Sequence, residues 1–170
     1  KHDGYDNSGI LLDCGKDVTD VMFSLDLSPE AAARAKAAGA DCIVTHHPAI
    51  YSPLHALRAD GEGAEMLACA QCGISVVSAH LNLDCARGGI DDCLMRGLGG
   101  ERAEATLYSL TDGGYGKVFR VEEQDFSSFV SRVQDAFCTA RTVAYGSGRV
   151  KKVASFCGAG TDEDTVKFAL

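Results

Sequence analysis

The sequence predicts an α/β fold in which a largely parallel or mixed sheet is covered by helices. Short apolar runs alternate with segments of helical character through the first hundred residues. These runs are continuously apolar, which is typical of buried parallel strands. Glycines follow the helical segments, at the positions where a left-handed residue ends a helix. A chain of 170 residues that is 46% apolar is also long enough to bury a hydrophobic core.

The first half of the chain supplies most of the predicted sheet. Residues 18–25 form a run rich in β-branched and large apolar side chains, and we expect a buried strand there. A helix should begin at Ser28 and Pro29 and end at Gly39. The further predicted elements are a strand at 41–45, an irregular segment at 48–63, a helix at 64–71 closed by Gly73, a strand at 74–79 and a short helix at 89–96. We expect these strands to form a parallel sheet covered on both faces.

The pattern changes after Gly99 and Gly100. The predicted elements are strands at 105–110 and 117–121 joined by a turn at 112–114, an amphipathic helix at 125–137, strands at 142–145 and 150–156, and a helix that opens near 161–164. We therefore expect a single α/β unit over residues 1–170. Its two lobes would be 1–100, which carries the metal ligands, and 101–170, which is incomplete at its carboxyl end.

Charge and composition narrow the function classes. The 24 acidic residues exceed the 16 basic ones, for a net charge of −8. This disfavours direct binding of nucleic acid or of an anionic membrane surface. No apolar run approaches the roughly 20 residues needed to span a bilayer. The amino terminus lacks the apolar region of a signal peptide.

The eight cysteines are read as reduced thiols. Cys42, Cys93 and Cys157 lie in predicted core segments, where a thiol behaves as a small hydrophobic group. A domain of this size and apolar content does not need a disulfide framework. We therefore expect a reducing, cytoplasmic setting.

Histidines collect where two predicted strands end. His46 and His47 follow the strand at 41–45, while His80 and Asp84 follow the strand at 74–79. The carboxyl ends of parallel strands meet at one edge of a sheet, which is where ligands bind in such folds. Imidazoles with a carboxylate form a ligand set for Zn, Mn or Fe. The sequence therefore predicts a metal site at this edge.

Each of these residues also has a structural alternative. Adjacent strand residues point to opposite faces, so one of His46 and His47 could be a core residue and the other a surface residue. At a strand end, however, the backbone is free to turn both inward. Asp84 could instead cap the helix near Gly89. His80 is either a third ligand or, as we prefer, the group that orients or deprotonates the attacking water.

Five stretches of the chain resemble the NIF-three-like family of dinuclear metal-centre proteins, whose members are often named type 2 GTP cyclohydrolase I. They are residues 5–11 (YDNSGIL), 23–28 (FSLDLS), 39–48 (GADCIVTHHP), 78–84 (SAHLNLD) and 88–92 (GGIDD). The HHP and HxNxD motifs at this separation are the specific part of the resemblance.

The resemblance implies both a site and an assembly. It makes His46, His47 and Asp84 metal ligands, with two divalent ions (Zn, Mn or Fe) at each site. It implies a homo-oligomer, a ring built from dimers, and a metal-dependent hydrolytic activity on a small molecule. Members of the family carry a further His and Glu, four residues apart, near the carboxyl terminus, and a helix at the amino terminus. We therefore expect this chain to be truncated at both ends relative to the family.

Three hypotheses follow from the residues and the resemblance. The first is a metal-dependent hydrolase, similar to type 2 GTP cyclohydrolase I, that acts on a nucleotide or similar small molecule. In it, His46, His47 and Asp84 hold the metal and His80 orients or deprotonates water. The second is a non-catalytic oligomeric scaffold with a structural or vestigial metal site. The third is a single-zinc, amidohydrolase-like site with one metal in each chain.

Overall fold

The computed structural model of the protein describes residues 6–158, 160 and 162–170. The chain divides into two compact units, Lys1–Asn82 and Leu83–Leu170. The lobes at 1–100 and 101–170 stay a prediction. Tyr5, at the start of the first resembling stretch, and Thr161, near the expected opening of the last helix, lie outside the described residues.

A four-stranded mixed sheet organises the first unit. Its elements are β1 (Gly9–Leu12), β2 (Val21–Ser24), α1 (Pro29–Ala38), β3 (Cys42–Thr45), α2 (Ala64–Cys72) and β4 (Ser75–Ser78). The strand order is β1-β4-β3-β2. Strands β2, β3 and β4 are parallel, whereas β1 runs antiparallel to β4. The predicted α/β class with a largely parallel or mixed sheet is therefore confirmed: the three strands predicted in this half of the chain are parallel, and β1, which was not predicted, adds an antiparallel strand.

One face of this sheet packs against helices α1 and α2. Ile43 and Val76 on that face are completely buried, and they cluster with Ala35 and Cys69 of the two helices. On the other face, Phe23 is 78% exposed. The expected covering of both faces stays a prediction. A strand, β2, lies within the predicted range 18–25, but the expected burial is wrong, because β2 is a short edge strand whose side chains alternate between the two faces.

The helices of the first unit begin and end where the sequence predicts. The Ser28 side chain accepts a hydrogen bond from the amide of Ala31, and Pro29 takes the first helical position of α1. Gly39 and Gly73 follow α1 and α2 with φ angles of 71° and 68°. These are left-handed conformations that glycine adopts without steric cost. Helix α3 (Leu81–Asp84), a single turn, follows β4 and contains the division between the units.

The second unit contains an antiparallel sheet. Its elements are α4 (Ile90–Gly97), β5 (Ala103–Leu110), β6 (Gly113–Asp125), α5 (Phe126–Ala136), β7 (Arg149–Ser155) and α6 (Glu163–Ala169), with the strands in the order β5-β6-β7. Its core is formed around Phe119 and Met95. The strand predicted at 142–145 is wrong. Val143 and Tyr145 are fully exposed there, so their β-branched and aromatic character has no sheet to pack against.

All eight cysteines are free thiols. Cys42 and Cys157 are buried, as predicted, but Cys93 is exposed on α4 and its assignment to the core is wrong. Among the helices of the described segments, none is long and apolar enough to cross a membrane.

Candidate metal centre

Buried hydroxyl groups fix the corner that carries the two adjacent histidines. Thr45 ends β3 and Ser78 ends β4, and both are only 1% exposed. Their hydroxyl oxygens lie 2.8 Å apart, and the Thr45 hydroxyl donates to the carbonyl oxygen of His47 at 2.8 Å. Because buried polar groups need hydrogen-bond partners, these contacts hold the chain in one path after the strands end.

This corner brings three imidazole rings together. The ring centroids of His46 and His47 lie 5.0 Å apart. Those of His46 and His80 are separated by 5.3 Å, and those of His47 and His80 by 5.9 Å. The sequence left open that one of His46 and His47 is a core residue and the other a surface residue. This alternative does not fit the structure, because the two rings turn to the same side.

The tightest group of ligand atoms belongs to His46, His80 and Asp84. One nitrogen from each of these rings and one carboxylate oxygen lie within 4.8 Å of one another. Asp84 is the last residue of α3 and is only 5% exposed. Its alternative role as a helix cap is wrong, since α4 begins after Gly89. Three such groups at this separation could hold a metal ion.

His47 lies at the solvent side of the group. Its side chain is 49% exposed, and its ring pairs with Asp26, whose side chain is 61% exposed. His47 is not among the three residues whose ligand atoms approach most closely. The assignment of His46, His47 and Asp84 as ligands, with His80 as helper, stays a prediction.

Each of the three imidazoles has an acceptor for its Nδ1 atom. The pairs are His46 with the Ala79 carbonyl at 2.9 Å, His47 with Asp26 at 2.6 Å, and His80 with Asp6 at 2.8 Å. Carbonyl and carboxylate oxygens accept hydrogen bonds and do not donate them, so the Nδ1 atom of each ring carries the proton. In a neutral imidazole the lone pair is then on Nε2, the form that binds a metal. The residues at this site therefore fit a divalent metal ion.

Two carboxylates of this site were not assigned to it from the sequence. We interpret Asp6 in the sequence as a turn residue, and Asp26 as a weak candidate that serves as a turn or cap. In the structure they contact His80 and His47 respectively. The pairing of β1 with β4 brings Asp6 near His80. The two residues are 74 positions apart in the sequence, so no local pattern could predict their contact.

A further histidine of the first unit, His55, takes a different position. His55 is on the irregular segment after Pro48, and its side chain is 90% exposed. Its ring lies 3.5 Å from a carboxylate oxygen of Glu62. His55 and Glu62 therefore form a surface pair, which is a useful reference for the pairs at the metal cluster.

The second unit holds a buried carboxylate of its own. Asp91, in the first turn of α4, is completely buried. Burial raises the pKa of its carboxyl group, and the ammonium group of Lys117 opposes that shift. Lys117 is itself 5% exposed and lies 3.4 Å from Asp92. Lys117 thus forms an ion pair with Asp92 inside the second unit, close to the buried carboxyl group of Asp91.

Comparison with known proteins identifies one family over almost the whole chain. Residues 1–167 match the family model described as Duf34/NIF3 (NGG1p interacting factor 3). A GTP cyclohydrolase 1 type 2 homolog of Clostridium perfringens is 27% identical over 167 residues, which cover 94% of this chain and 64% of that protein. The NGG1-interacting factor 3 of Saccharomyces cerevisiae is 29% identical, covering 92% of this chain and 64% of that protein. The chain thus spans less than two thirds of either relative.

A solved structure shares the fold. A Bacillus cereus protein related to NIF3 superposes with a TM-score of 0.82 at 20% sequence identity. The match covers 98% of this chain and 75% of that one. At 20% identity this similarity shows a shared fold and does not show a shared activity.

Proposed function

This chain belongs to the DUF34/NIF3 family, and we propose that it is a metal-dependent hydrolase acting on a nucleotide or a similar small molecule. The observation that carries the proposal is the cluster of His46, His80 and Asp84, with His47 beside it. Three imidazoles with their Nδ1 atoms already engaged, next to a buried carboxylate, form an arrangement suited to a divalent ion such as Zn, Mn or Fe.

Two ligand sets are consistent with this cluster. His46 and Asp84 belong to both. The resemblance to the family adds His47, whereas the separation of the ligand atoms favours His80. In the centre with two ions that the resemblance implies, His47 is a ligand and His80 acts on water, whereas in a single-zinc site His80 could be the ligand instead. We propose the centre with two ions that the resemblance implies, in a homo-oligomeric, dimer-based ring located in the cytoplasm.

The chemistry of such a site is hydrolytic. A divalent metal supplies Lewis acidity, which makes water reactive near neutral pH and polarises the bond under attack. An imidazole that is not a ligand accepts the proton of that water at Nε2, because its Nδ1–H is already held. We assign this role to His80, whose Nδ1 is bound by the buried Asp6. The name of the Clostridium perfringens relative favours a nucleotide as the substrate, and the acidic net charge argues against nucleic acid or a membrane.

Metal content and turnover together test this proposal. We expect the purified protein to bind Zn or Mn, and to release product from GTP or a related nucleotide. Asp84→Ala should lose at least one metal ion for each chain, because Asp84 supplies the anionic ligand. His46→Ala should lose turnover as well as metal. His55→Ala, which removes an exposed histidine outside the cluster, is the matched control and should behave as wild type. Equal metal content in wild type and Asp84→Ala would refute the ligand assignment.

A non-catalytic scaffold is the second candidate. The yeast relative is named an interacting factor, which favours a binding role over turnover. Under this alternative the protein binds metal through the same residues but hydrolyses no nucleotide. A protein that is fully loaded with Mn or Zn and inactive on a panel of nucleotides would favour the scaffold. Turnover that disappears in His46→Ala would exclude it. One ion for each chain in the loaded enzyme would indicate the single-zinc site.

A further inference from the structure

A closed set of hydrogen bonds joins Asp6, Ser8 and His80. One carboxylate oxygen of Asp6, Oδ1, accepts from Nδ1 of His80 at 2.8 Å. The other, Oδ2, accepts from the hydroxyl of Ser8 at 2.6 Å. The Ser8 oxygen in turn accepts from the backbone amide of His80 at 3.3 Å. Both the ring and the backbone of His80 are therefore fixed by the segment that leads into β1.

The Asp6 pair differs from the other acid–histidine pairs by its burial. The Asp6 side chain is completely buried, and that of His80 is 19% exposed. In the pair of Asp26 with His47 both side chains are about half exposed or more. Water competes with an exposed pair and screens it, whereas a buried charge-assisted hydrogen bond keeps its strength and geometry. Asp6 is therefore the carboxylate best placed to determine the state of its ring.

We propose that Asp6 is a positioning residue, which holds His80 in the tautomer with the proton on Nδ1 and the lone pair on Nε2. This inference rests on the proposed metal-binding function. A neutral histidine in water prefers the opposite tautomer, with its proton on Nε2, so the preference must be reversed by a neighbour. Asp6 does so because an ionised carboxylate can only accept. His80 then presents Nε2 to a metal ion or to the attacking water.

Substitutions of Asp6 separate positioning from simple packing. Asp6→Ala removes the acceptor. We expect about a 10- to 100-fold loss of turnover if His80 acts on water, or a rise of the same size in the dissociation constant for zinc if His80 is a ligand. Asp6→Asn keeps a carbonyl oxygen for Nδ1–H and an amide group for Ser8, so it should restore most of whichever property is lost. Glu62→Ala, which removes the carboxylate beside the surface residue His55, is the matched control and should bind zinc as wild type does. Competition with a chromophoric chelator measures the dissociation constant for zinc of the wild type and of these three variants.

The tautomer of His80 gives a readout that does not depend on metal. Nitrogen-15 NMR of the metal-free protein distinguishes a protonated Nδ1 from a protonated Nε2. We expect His80 to carry its proton on Nδ1 in the wild type and in Asp6→Asn, and on Nε2 in Asp6→Ala. If His80 of Asp6→Ala stays protonated on Nδ1, or if that variant keeps both the wild-type turnover and the wild-type dissociation constant for zinc, the positioning role is overturned.

Two further outcomes are also decisive. If the wild type binds no zinc, the proposed function fails, while the NMR comparison still decides the positioning role. If Asp6→Ala does not fold, Ser8→Ala takes its place. That variant keeps the carboxylate but removes the hydroxyl that fixes Oδ2. We expect it to lower turnover or zinc affinity several-fold, and if both are unchanged the role of the hydrogen-bonded set is overturned.

Discussion

The three clustered imidazoles differ in how firmly each is held. His46 donates to a backbone carbonyl and His80 to a buried carboxylate, so both rings have fixed partners. His47 donates to the exposed Asp26, and exposed pairs of this kind contribute only about 0–1 kcal/mol. His47 is therefore the ring that can turn at least cost. Because His46 and His80 are fixed and His47 can turn, the site can form the ligand set that includes His47 as well as the one that includes His80.

Residue-scale chemistry also sets the reactivity of the thiols. Burial raises the pKa of Cys69 to about 11 and that of Cys157 to about 12, from 9.0 for an ordinary thiol. A shift of about two units leaves roughly a hundredfold less thiolate at pH 8, and the thiolate is the reactive form. We expect Cys93 and Cys138, which are exposed, to react first with a thiol-specific chromogenic disulfide. Cys69 and Cys157 should react only after denaturant is added.

Counting the reacted thiols over time checks this prediction. Cys93→Ser should remove one equivalent from the fast phase, because it deletes an exposed thiol. Cys69→Ala should leave the fast phase unchanged and remove one equivalent from the denatured total. A fast phase that shrinks in Cys69→Ala would show that this thiol is accessible in the native protein.

How well single residues can be assigned from the sequence depends on whether their partners are local. His46, His80 and Asp84 are recognisable, because each follows a strand whose end is evident from the apolar pattern. Asp6 is not, because its partner lies 74 positions away. The sequence pattern also could not decide which of His47 and His80 lies closer to the ligand atoms of His46 and Asp84. That ranking depends on how the backbone turns after the strand, which no periodicity encodes.

At the scale of elements, short strands were the hardest to assign. β1 has four residues, which is too few for a recognisable period, yet its pairing with β4 brings Asp6 to the site. The segment at 142–145 has strand-like composition but no partner strand. Helices α1 and α2 were predictable because their ends are marked by capping residues and glycines. Local signals thus predicted these helices, and pairing decided the strands.

The hairpin of β5 and β6 contacts the segment that follows Asp84, a proposed ligand. The amide of Gly114 donates to the carbonyl of Cys85 at 2.7 Å, and the amide of Arg87 donates to the carbonyl of Asp112 at 3.2 Å. Gly113 faces Ala86 in an isolated bridge. Since Cys85 follows Asp84 directly, the backbone at 112–114 restrains the position of the carboxylate.

Gly113→Ala should therefore damage both stability and metal binding. Gly113 has a φ of 127°, and an added Cβ would overlap the carbonyl oxygen of Cys85. Gly148→Ala is the matched control, because Gly148 has a φ of 92° but an added Cβ would meet nothing within 4 Å. The positive φ alone costs about 1–3 kcal/mol in either variant. The overlap adds about 1–3 kcal/mol in Gly113→Ala.

Urea denaturation and zinc titration measure the two effects. We expect Gly113→Ala to unfold at lower urea than Gly148→Ala and to bind zinc more weakly. Gly148→Ala should bind zinc as the wild type does, since Gly148 lies in the turn before β7. Equal stability of the two variants would show that the backbone at 85–87 yields to the added methyl group.

At the scale of the whole molecule, stability and ligand binding are linked. Each unit has its own core, around Ile43 and Val76 in the first and around Phe119 in the second. The candidate metal site brings together a buried carboxylate and two imidazoles from separate positions along the chain, and its residues belong to neither core. Such a group is held together by the fold, so an ion that binds it binds the native state and not the unfolded chain.

The protein should therefore become more heat-stable with metal, by an amount that depends on concentration. Free metal at a hundred times its dissociation constant adds about 2.7 kcal/mol, because binding to the native state alone stabilises it by RT ln(1 + [L]/Kd). For a chain of this size that corresponds to a rise in Tm of roughly 5–11 °C. Calorimetry in buffer with a chelator, and then with increasing zinc, measures the shift. Asp84→Ala should show little of it and His55→Ala all of it, because only Asp84 belongs to the cluster. A shift of the same size in Asp84→Ala would mean that the zinc which stabilises the fold binds elsewhere.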